Sequence, residues 1–188
     1  MKRFVSVLAL LFAVSIMSSG FMSCTSQPAA PAPTPTPVCG ISFGYHTDND
    51  DNGWNYNYIV GAKFTMAKSG YINAIGLKLG GGQNVRVGVY SNGVNQPANL
   101  ITQSAVVAGN LGWNEIPIPQ TSLTSGTVYW LLAATDGSSI EASSPLSFGY
   151  GYANSSWSAV NSGGMPATIA VTWYVSSGEL KIYGAGCF

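Results

Sequence analysis

The feature that most constrains this chain is a succession of short segments in which apolar and polar residues alternate. Within residues 84–90, Val85, Val87 and Val89 occupy every second position, as in a strand with one buried face. Gly, Asn, Ser and Pro separate these segments at intervals of roughly 8–15 residues, and no long segment has a helical period. The sequence therefore predicts an all-β fold, an antiparallel β-sandwich of the jelly-roll kind.

The same patterning predicts individual strands and some of the core. Trp113, Trp130 and Trp173 lie inside strand patterns, which favours burial of their side chains. We expect strands over residues 71–79, 84–90, 100–107, 113–118, 128–134, 147–152, 168–175 and 180–183.

Charge is scarce, and its scarcity excludes several classes of protein. Charged residues make up 7% of the chain, against a usual ~25%. Too few Glu, Lys and Arg are present to solvate the exposed faces of a helical bundle. The part after residue 23 has five cations, too few for a basic patch that binds nucleic acid: Lys63, Lys68, Lys78, Arg86 and Lys181.

The N-terminal segment has the pattern of an export signal. Lys2 and Arg3 precede an apolar run over residues 4–17, and small residues follow up to Cys24. The apolar run is short for a membrane span, and no later segment approaches ~20 apolar residues. We therefore expect a signal peptide over residues 1–23 and an exported protein.

Cys24 is a candidate lipidation site. The pair Ser23-Cys24 resembles the end of a bacterial lipoprotein box, which implies a diacylated Cys24 and a location at the bacterial outer membrane or cell surface. Membrane contact would then be made through the N-terminal lipid alone. Ordinary cleavage near Gly20 or Ser23, giving a secreted protein, is the alternative. Residues 24–38 are rich in proline and predict an extended linker, with the β-sandwich domain over residues 39–188.

The two remaining cysteines lie at opposite ends of this domain. Cys39 and Cys187 predict a disulfide in an oxidising compartment, with two unpaired thiols as the alternative. The CxxC spacing of a zinc site is absent.

Several segments together resemble a secreted bacterial β-sandwich module found in cell-surface and extracellular proteins. The resemblance covers about residues 57–134 and implies a jelly-roll-like module of the carbohydrate-binding type. It lies in residues 61–65, 70–76, 84–91, 112–117 and 123–131.

An Asp-rich segment is a candidate calcium site. Asp48, Asp50 and Asn52 stand at alternate positions before Gly53, so their oxygens could converge on a hard cation. Position 12 of a calcium loop of this type would be Ile59 instead of Glu. A calcium loop closed by other ligands and a polar surface turn are therefore both open.

Aromatic residues beside amides suggest a sugar-binding surface. Aromatic rings stack on the C–H faces of sugars, and neighbouring Asn side chains bind hydroxyl groups. Burial in the core is the alternative for each ring. Two clusters supply the candidate ligand-binding residues: Trp54, Tyr56, Tyr58, Tyr150, Tyr152 and Trp157.

Catalysis has little support in the sequence. His46 is the one imidazole, and no GxSxG motif surrounds a serine. We therefore expect a non-enzyme, and two functions remain. One is non-catalytic binding of a glycan or polysaccharide; the other is a structural or adhesin subunit that self-associates through sheet edges.

Overall fold

The computed structural model describes residues 38–48, 52–54, 58–137, 139–143, 149–154, 156–169, 173–177 and 179–188. For residues 41–42, 52–54, 143, 149–154 and 174–177 it describes the backbone alone. Contacts separate the chain into two units, Met1–Pro35 and Thr36–Phe188. The predicted signal peptide, Cys24 and the predicted linker before Val38 lie outside the described residues.

The described chain consists of β-strands and one short helix. The strands are β1 Cys39–Gly44, β2 Asn52–Trp54, β3 Tyr58–Thr65, β4 Gly70–Leu79, β5 Gln83–Asn92, β6 Pro97–Gln103, β7 Val107–Gly109, β8 Gly112–Leu123, β9 Val128–Thr135, β10 Ile140–Ser143, β11 Gly149–Asn154, β12 Tyr174–Ser177, β13 Glu179–Leu180 and β14 Ile182–Cys187, and the helix is α1 Trp157–Gly163.

These strands form two antiparallel sheets packed against each other. The first has the order β1-β14-β4-β10-β13, with β8 paired to β4 and β2 paired to β10. The second has the order β12-β11-β3-β9-β5-β6, with β7 paired to β5. The chain passes repeatedly from one sheet to the other, for example from β3 to β4 and back to β5. The predicted all-β antiparallel sandwich is confirmed.

The main core lies between the two sheets, where the alternating residues meet. Val85, Val87 and Val89 of β5 are fully buried and face Ile75 and Leu77 of β4 within one apolar cluster. Burial of each such side chain away from water contributes ~1.5–3 kcal/mol to the free energy of folding. The period-two pattern that predicts the strands is therefore also the pattern that fills the core.

A second, smaller core covers the outer face of the second sheet. The hydroxyl of Ser156 caps α1 by accepting a bond from the Ala159 amide at 3.3 Å, and Val160 is buried beneath the helix. Trp130 and Trp173 are both buried there, as predicted, with ring centroids 5.3 Å apart.

The structure differs from the local expectations at three places. The strand expected over residues 100–107 is broken, because Ser104 is buried and its hydroxyl accepts a bond from the Val87 amide at 3.0 Å. In the strand expected over residues 168–175, Thr168 makes an isolated bridge to Asn99, Tyr174 and Val175 belong to β12, and residues 170–172 lie outside the described residues. The helix α1 was not predicted, because seven residues are too few to show a helical period.

The predicted disulfide between Cys39 and Cys187 is formed, and it joins residues that pair directly across β1 and β14. Next to it, the amide of Val38 donates to the carbonyl of Phe188 at 3.0 Å, and the reverse bond is 3.1 Å. The disulfide agrees with an oxidising compartment outside the cytoplasm. Within the described residues, no helix has the length and apolar character needed to cross a bilayer.

Candidate functional site

A groove of 560 Å³ opens where β3 ends, β9 begins and β5 turns into β6. Two aromatic rings, one lysine and two amide side chains line it together with small and apolar groups. This aromatic groove is formed by Tyr45, Lys63, Phe64, Thr65, Asn92, Gly93, Val94, Asn95 and Val128.

The aromatic rings of the groove are held by neighbouring strands. The amide of Tyr45 donates to the carbonyl of Ile182 at 2.8 Å, which fixes the backbone just after β1. Phe64 lies near the end of β3, and its ring centroid is 5.2 Å from that of Tyr45. Phe64 also packs on Phe43, with centroids 5.6 Å apart. Both rings that line the groove are half-buried, so each keeps part of its surface open to a ligand.

Burial raises the pKa of the Tyr45 phenol, and the charge of Glu179 raises it further. The phenol therefore stays protonated at neutral pH. In that state its hydroxyl can both donate and accept hydrogen bonds.

The turn between β5 and β6 forms one wall of the groove. The amide of Gly93 donates to the carbonyl of Gln96 at 2.8 Å, and Asn95 adopts a positive φ of 60°, which Asn tolerates better than most residues. The oxygen of the Asn92 amide accepts a bond of 2.9 Å from the indole of Trp130. This bond orients the Asn92 side chain and leaves its NH₂ group to donate to a ligand.

Among the described residues that line the aromatic groove, Lys63 is the one with a charged side chain. Its Nζ lies 5.9 Å from the ring centroid of Trp130, within the range of a cation–π interaction. The side chain is exposed, so the ammonium can meet both the ring and a ligand.

A smaller cleft of 320 Å³ lies at the same part of the fold and shares Thr65 with the groove. Phe43 and Phe188 line it with ring centroids 6.2 Å apart, and Lys68 lines it as well. The two concavities therefore adjoin one continuous set of aromatic contacts.

A second group of side chains, here the His46 cluster, lies on the outer face of the first sheet. The ring of His46 stacks on Trp113 with centroids 4.5 Å apart and meets Tyr183 edge-on at 4.9 Å. Trp113 is half-buried, so its predicted burial in the core is wrong. Successive side chains of β8 point to opposite faces of the sheet. Ile116 and Ile118 face the core, so Trp113 lies on the other face together with Glu115.

Asp48 is bound by groups of the protein itself. Its Oδ1 accepts a bond of 2.8 Å from the Trp113 indole and lies 3.2 Å from the ammonium of Lys78. The hydrogen bond from Trp113, followed by that from Lys78, holds the pKa of Asp48 below its usual value. The hydroxyl of the preceding residue, Thr47, accepts a bond of 2.8 Å from Lys181, which is fully buried.

The calcium prediction involves Asp48, Asp50 and Asn52, of which only Asp48 has a described side chain. Asp50 and the side chain of Asn52 lie outside the described residues. No group of three or more His, Cys, Asp or Glu placed to hold a metal occurs among the side chains that the structure describes. Calcium binding by this loop therefore stays a prediction.

Three of the predicted sugar-binding residues, Tyr58, Tyr150 and Tyr152, lie in the neighbouring strands β3 and β11, although they are far apart in sequence. Asn154 of β11 pairs with Tyr58 of β3, and Tyr152 and Tyr150 follow along the same ladder. Trp54 lies in β2 of the other sheet, where it pairs with Ile140. Tyr56 and the side chains of Trp54, Tyr150 and Tyr152 lie outside the described residues.

Tyr58 and Trp157 are the two predicted ligand residues with described side chains. Tyr58 is half-buried against the main core, and Trp157 is half-buried against the second core. These contacts show how the rings are held, and a ligand-binding role for the predicted set stays a prediction.

The sequence analysis missed Tyr45, Phe64 and Asn95. They belong to three separate segments, and nothing local marks their convergence. The Asn92-Gly93 turn was the available signal, because an Asn-Gly pair between two alternating segments predicts a hairpin whose tip is exposed. Val94 at that tip is 90% exposed.

Comparison with known proteins gives no family for this chain. No protein-family model matches it, and no curated protein matches it.

Proposed function

We propose that this domain is a non-catalytic glycan-binding module and that the aromatic groove holds the sugar. The observation that supports the proposal is the meeting of two half-buried rings, Tyr45 and Phe64, with the amides of Asn92 and Asn95 in one concavity. Rings offer an apolar surface to the C–H faces of a sugar, and amides bond its hydroxyl groups. Binding sites of this kind are largely preformed and concave.

The groove is preorganised by bonds that do not involve a ligand. The Trp130 indole orients Asn92, the backbone of Ile182 holds Tyr45, and Phe43 supports Phe64. Preorganised groups lose less conformational entropy on binding, which favours affinity for a flexible ligand such as a polysaccharide.

We further propose that the domain is exported and anchored through a lipidated Cys24, which places the groove at a bacterial outer membrane or cell surface. The leader pattern and the lipoprotein-like Ser23-Cys24 pair support this location. The Cys39–Cys187 disulfide adds support, because such bonds persist in oxidising compartments.

The alternative function is a subunit that self-associates through exposed sheet edges. Two features of the described strands oppose edge pairing. The amide of Leu100 on β6 already donates to the carbonyl of Ala167 at 2.8 Å, so a loop covers that edge. On β8, Pro117 and Pro119 lack the N–H groups that a further strand would need.

The proposal is tested by a glycan array and by polysaccharide affinity electrophoresis of the purified protein. We expect Tyr45→Leu to weaken binding by about tenfold, which corresponds to ~1.4 kcal/mol of lost stacking. Trp157→Leu is the matched control, since it also removes a half-buried aromatic ring but lies on α1.

Each outcome of this test has a distinct meaning. Loss of binding in Tyr45→Leu alone supports the proposal that the aromatic groove binds the sugar. Loss in Trp157→Leu alone moves the site to the aromatic clusters predicted from sequence. No binding by the folded wild-type protein, together with concentration-dependent oligomers, favours the self-associating subunit.

A further inference from the structure

The positive charges of the domain are distributed unevenly between internal contacts and solvent. Of the five cations after residue 23, three are held by hydrogen bonds or an ion pair within the fold. Lys78 forms an ion pair with Asp48, Lys181 is fully buried and bonded to Thr47, and Arg86 donates to the carbonyl of Val160 at 2.7 Å.

The two other cations are exposed and line the two adjacent concavities. Lys63 lines the aromatic groove, Lys68 lines the smaller cleft, and Thr65 belongs to both. In a chain with so few charges, this places the two solvent-facing ammonium groups where a ligand of the groove would extend.

No acidic residue is among the described residues that line either concavity. Asp48 is bound by Lys78 and Trp113, Asp136 is bonded to Asn84 at 2.7 Å, and Glu115 accepts a bond from Tyr183. Glu179 is the acid whose charge reaches the groove, through the phenol of Tyr45.

We propose that the glycan bound by this domain is anionic, with a carboxylate or sulfate group meeting Lys63 in the groove and a second one meeting Lys68 in the smaller cleft. This inference rests on the proposed glycan-binding function and specifies its ligand class. The lysines supply long-range attraction, and the rings and amides supply the contacts to the sugar itself.

The electrostatic contribution of exposed lysines is modest and depends on salt. We expect Lys63→Met and Lys68→Met each to weaken binding by about twofold to fivefold at low ionic strength. The loss should shrink as salt rises, because the Debye length falls from about 30 Å at 0.01 M to about 8 Å at 0.15 M.

The experiment compares matched polymers by isothermal titration calorimetry with the purified protein. Polygalacturonate and its methyl ester differ in the carboxylate, and dextran sulfate and dextran differ in the sulfate. Polyglutamate is included as an anionic polymer without sugar rings. Lys63→Arg should restore the binding lost in Lys63→Met.

A further variant separates the local effect of each lysine from the net charge of the protein. Ser158→Glu changes the net charge by the same amount as Lys63→Met but lies exposed on α1. We expect its binding to match that of the wild type, and melting temperatures of all variants should agree.

Stronger binding of one charged polymer than of its neutral partner, with losses in both lysine variants, supports the inference and identifies the anion. Equal binding of charged and neutral partners overturns the inference and leaves the glycan-binding function standing. Equal binding of polyglutamate and the charged glycans also overturns it, because sugar recognition is then not involved. Absence of binding to every polymer overturns the inference, and together with a negative glycan array it removes the proposed function itself.

Discussion

The indole Nε1 of Trp113 donates a hydrogen bond of 2.8 Å to Oδ1 of Asp48. This bond connects β8 to the segment that follows β1, and the stacking of His46 on the same indole adds to the connection. Tyr45, one residue before His46, lines the aromatic groove. One short segment is therefore held on the outer face of the first sheet while it supplies a ring to the candidate binding site.

The pH dependence of stability should reveal the bound state of Asp48. The pKa of Asp48 is lowered in the folded protein. The Asp48 carboxylate therefore stabilises the fold at pH values above its unfolded pKa, and this stabilisation is lost as the pH falls through its folded pKa. We expect Asp48→Asn to lower the free energy of unfolding at neutral pH and to have no effect in strong acid. Urea unfolding over a pH series measures both.

A second variant tests the cause of this shift. Trp113→Phe keeps an aromatic ring and removes the indole donor, so NMR titration should find the pKa of Asp48 closer to its usual value. An unchanged pKa in Trp113→Phe would show that the indole bond does not stabilise the carboxylate.

The ring of Tyr183 depends on a glycine beneath it. Tyr183 pairs with Gly76, Gly76 pairs with Glu115, and the phenol reaches over the glycine to donate to Glu115 at 3.0 Å. A Cβ at Gly76 would collide with the ring. We expect Gly76→Ala to lower the free energy of unfolding by about 1–3 kcal/mol, measured by urea denaturation.

Gly81→Ala provides the matched control for this substitution. A Cβ at Gly81 meets no atom within 4 Å, so its effect on the free energy of unfolding should be small. Burial, followed by the bond to Glu115, raises the pKa of Tyr183 to about 12, and Gly76→Ala should bring it down. Equal stabilities of the two alanine variants would contradict the proposed packing.

A calcium ion at the predicted site would compete with Lys78 for the carboxylate of Asp48. We expect weak calcium binding by the wild type, with a Kd of about 1 mM or above, and tighter binding by Lys78→Met. Melting temperatures with calcium, with magnesium and with EDTA measure the difference. A calcium site is rejected if calcium shifts neither protein.

Removal of the disulfide should destabilise the domain strongly. The sequence separation of 148 residues between Cys39 and Cys187 corresponds to about 5 kcal/mol in the chain-entropy account, and measured losses are typically about 2–5 kcal/mol. The double variant Cys39→Ser, Cys187→Ser should show this loss in urea unfolding. Addition of reductant to the wild type should reproduce the effect, and addition to the variant should change nothing further.

Local patterns predicted most of the sandwich because the same alternation forms strands and fills the core. Val85, Val87 and Val89 illustrate this, as do the buried Trp130 and Trp173. The same reasoning gave the wrong result for Trp113, which was expected in the core. Alternation identifies the two faces of a strand, but it does not show which of them the other sheet will cover. The hydrogen-bond partner of the Trp113 indole, Asp48, lies in a distant segment, so the sequence around Trp113 does not reveal this contact.

The aromatic groove could not be predicted from local sequence patterns for a related reason. Tyr45, Phe64 and Asn92 are brought together by pairings between distant strands, including β3 with β9 and β9 with β5. Such register is decided by tertiary packing, and no short motif encodes it. The helix α1 is a comparable case, because the burial of Val160 and the cap at Ser156 stabilise a segment too short to be recognised by period.

The pairing of Cys39 with Cys187 has a mechanical consequence. A pulling force applied at residue 38 enters β1 at its first residue and crosses at once, through a covalent bond, to β14. Because β14 lies between β1 and β4, the load is shared along two ladders of hydrogen bonds that must shear together. A domain loaded in this way resists unzipping of its outermost strand.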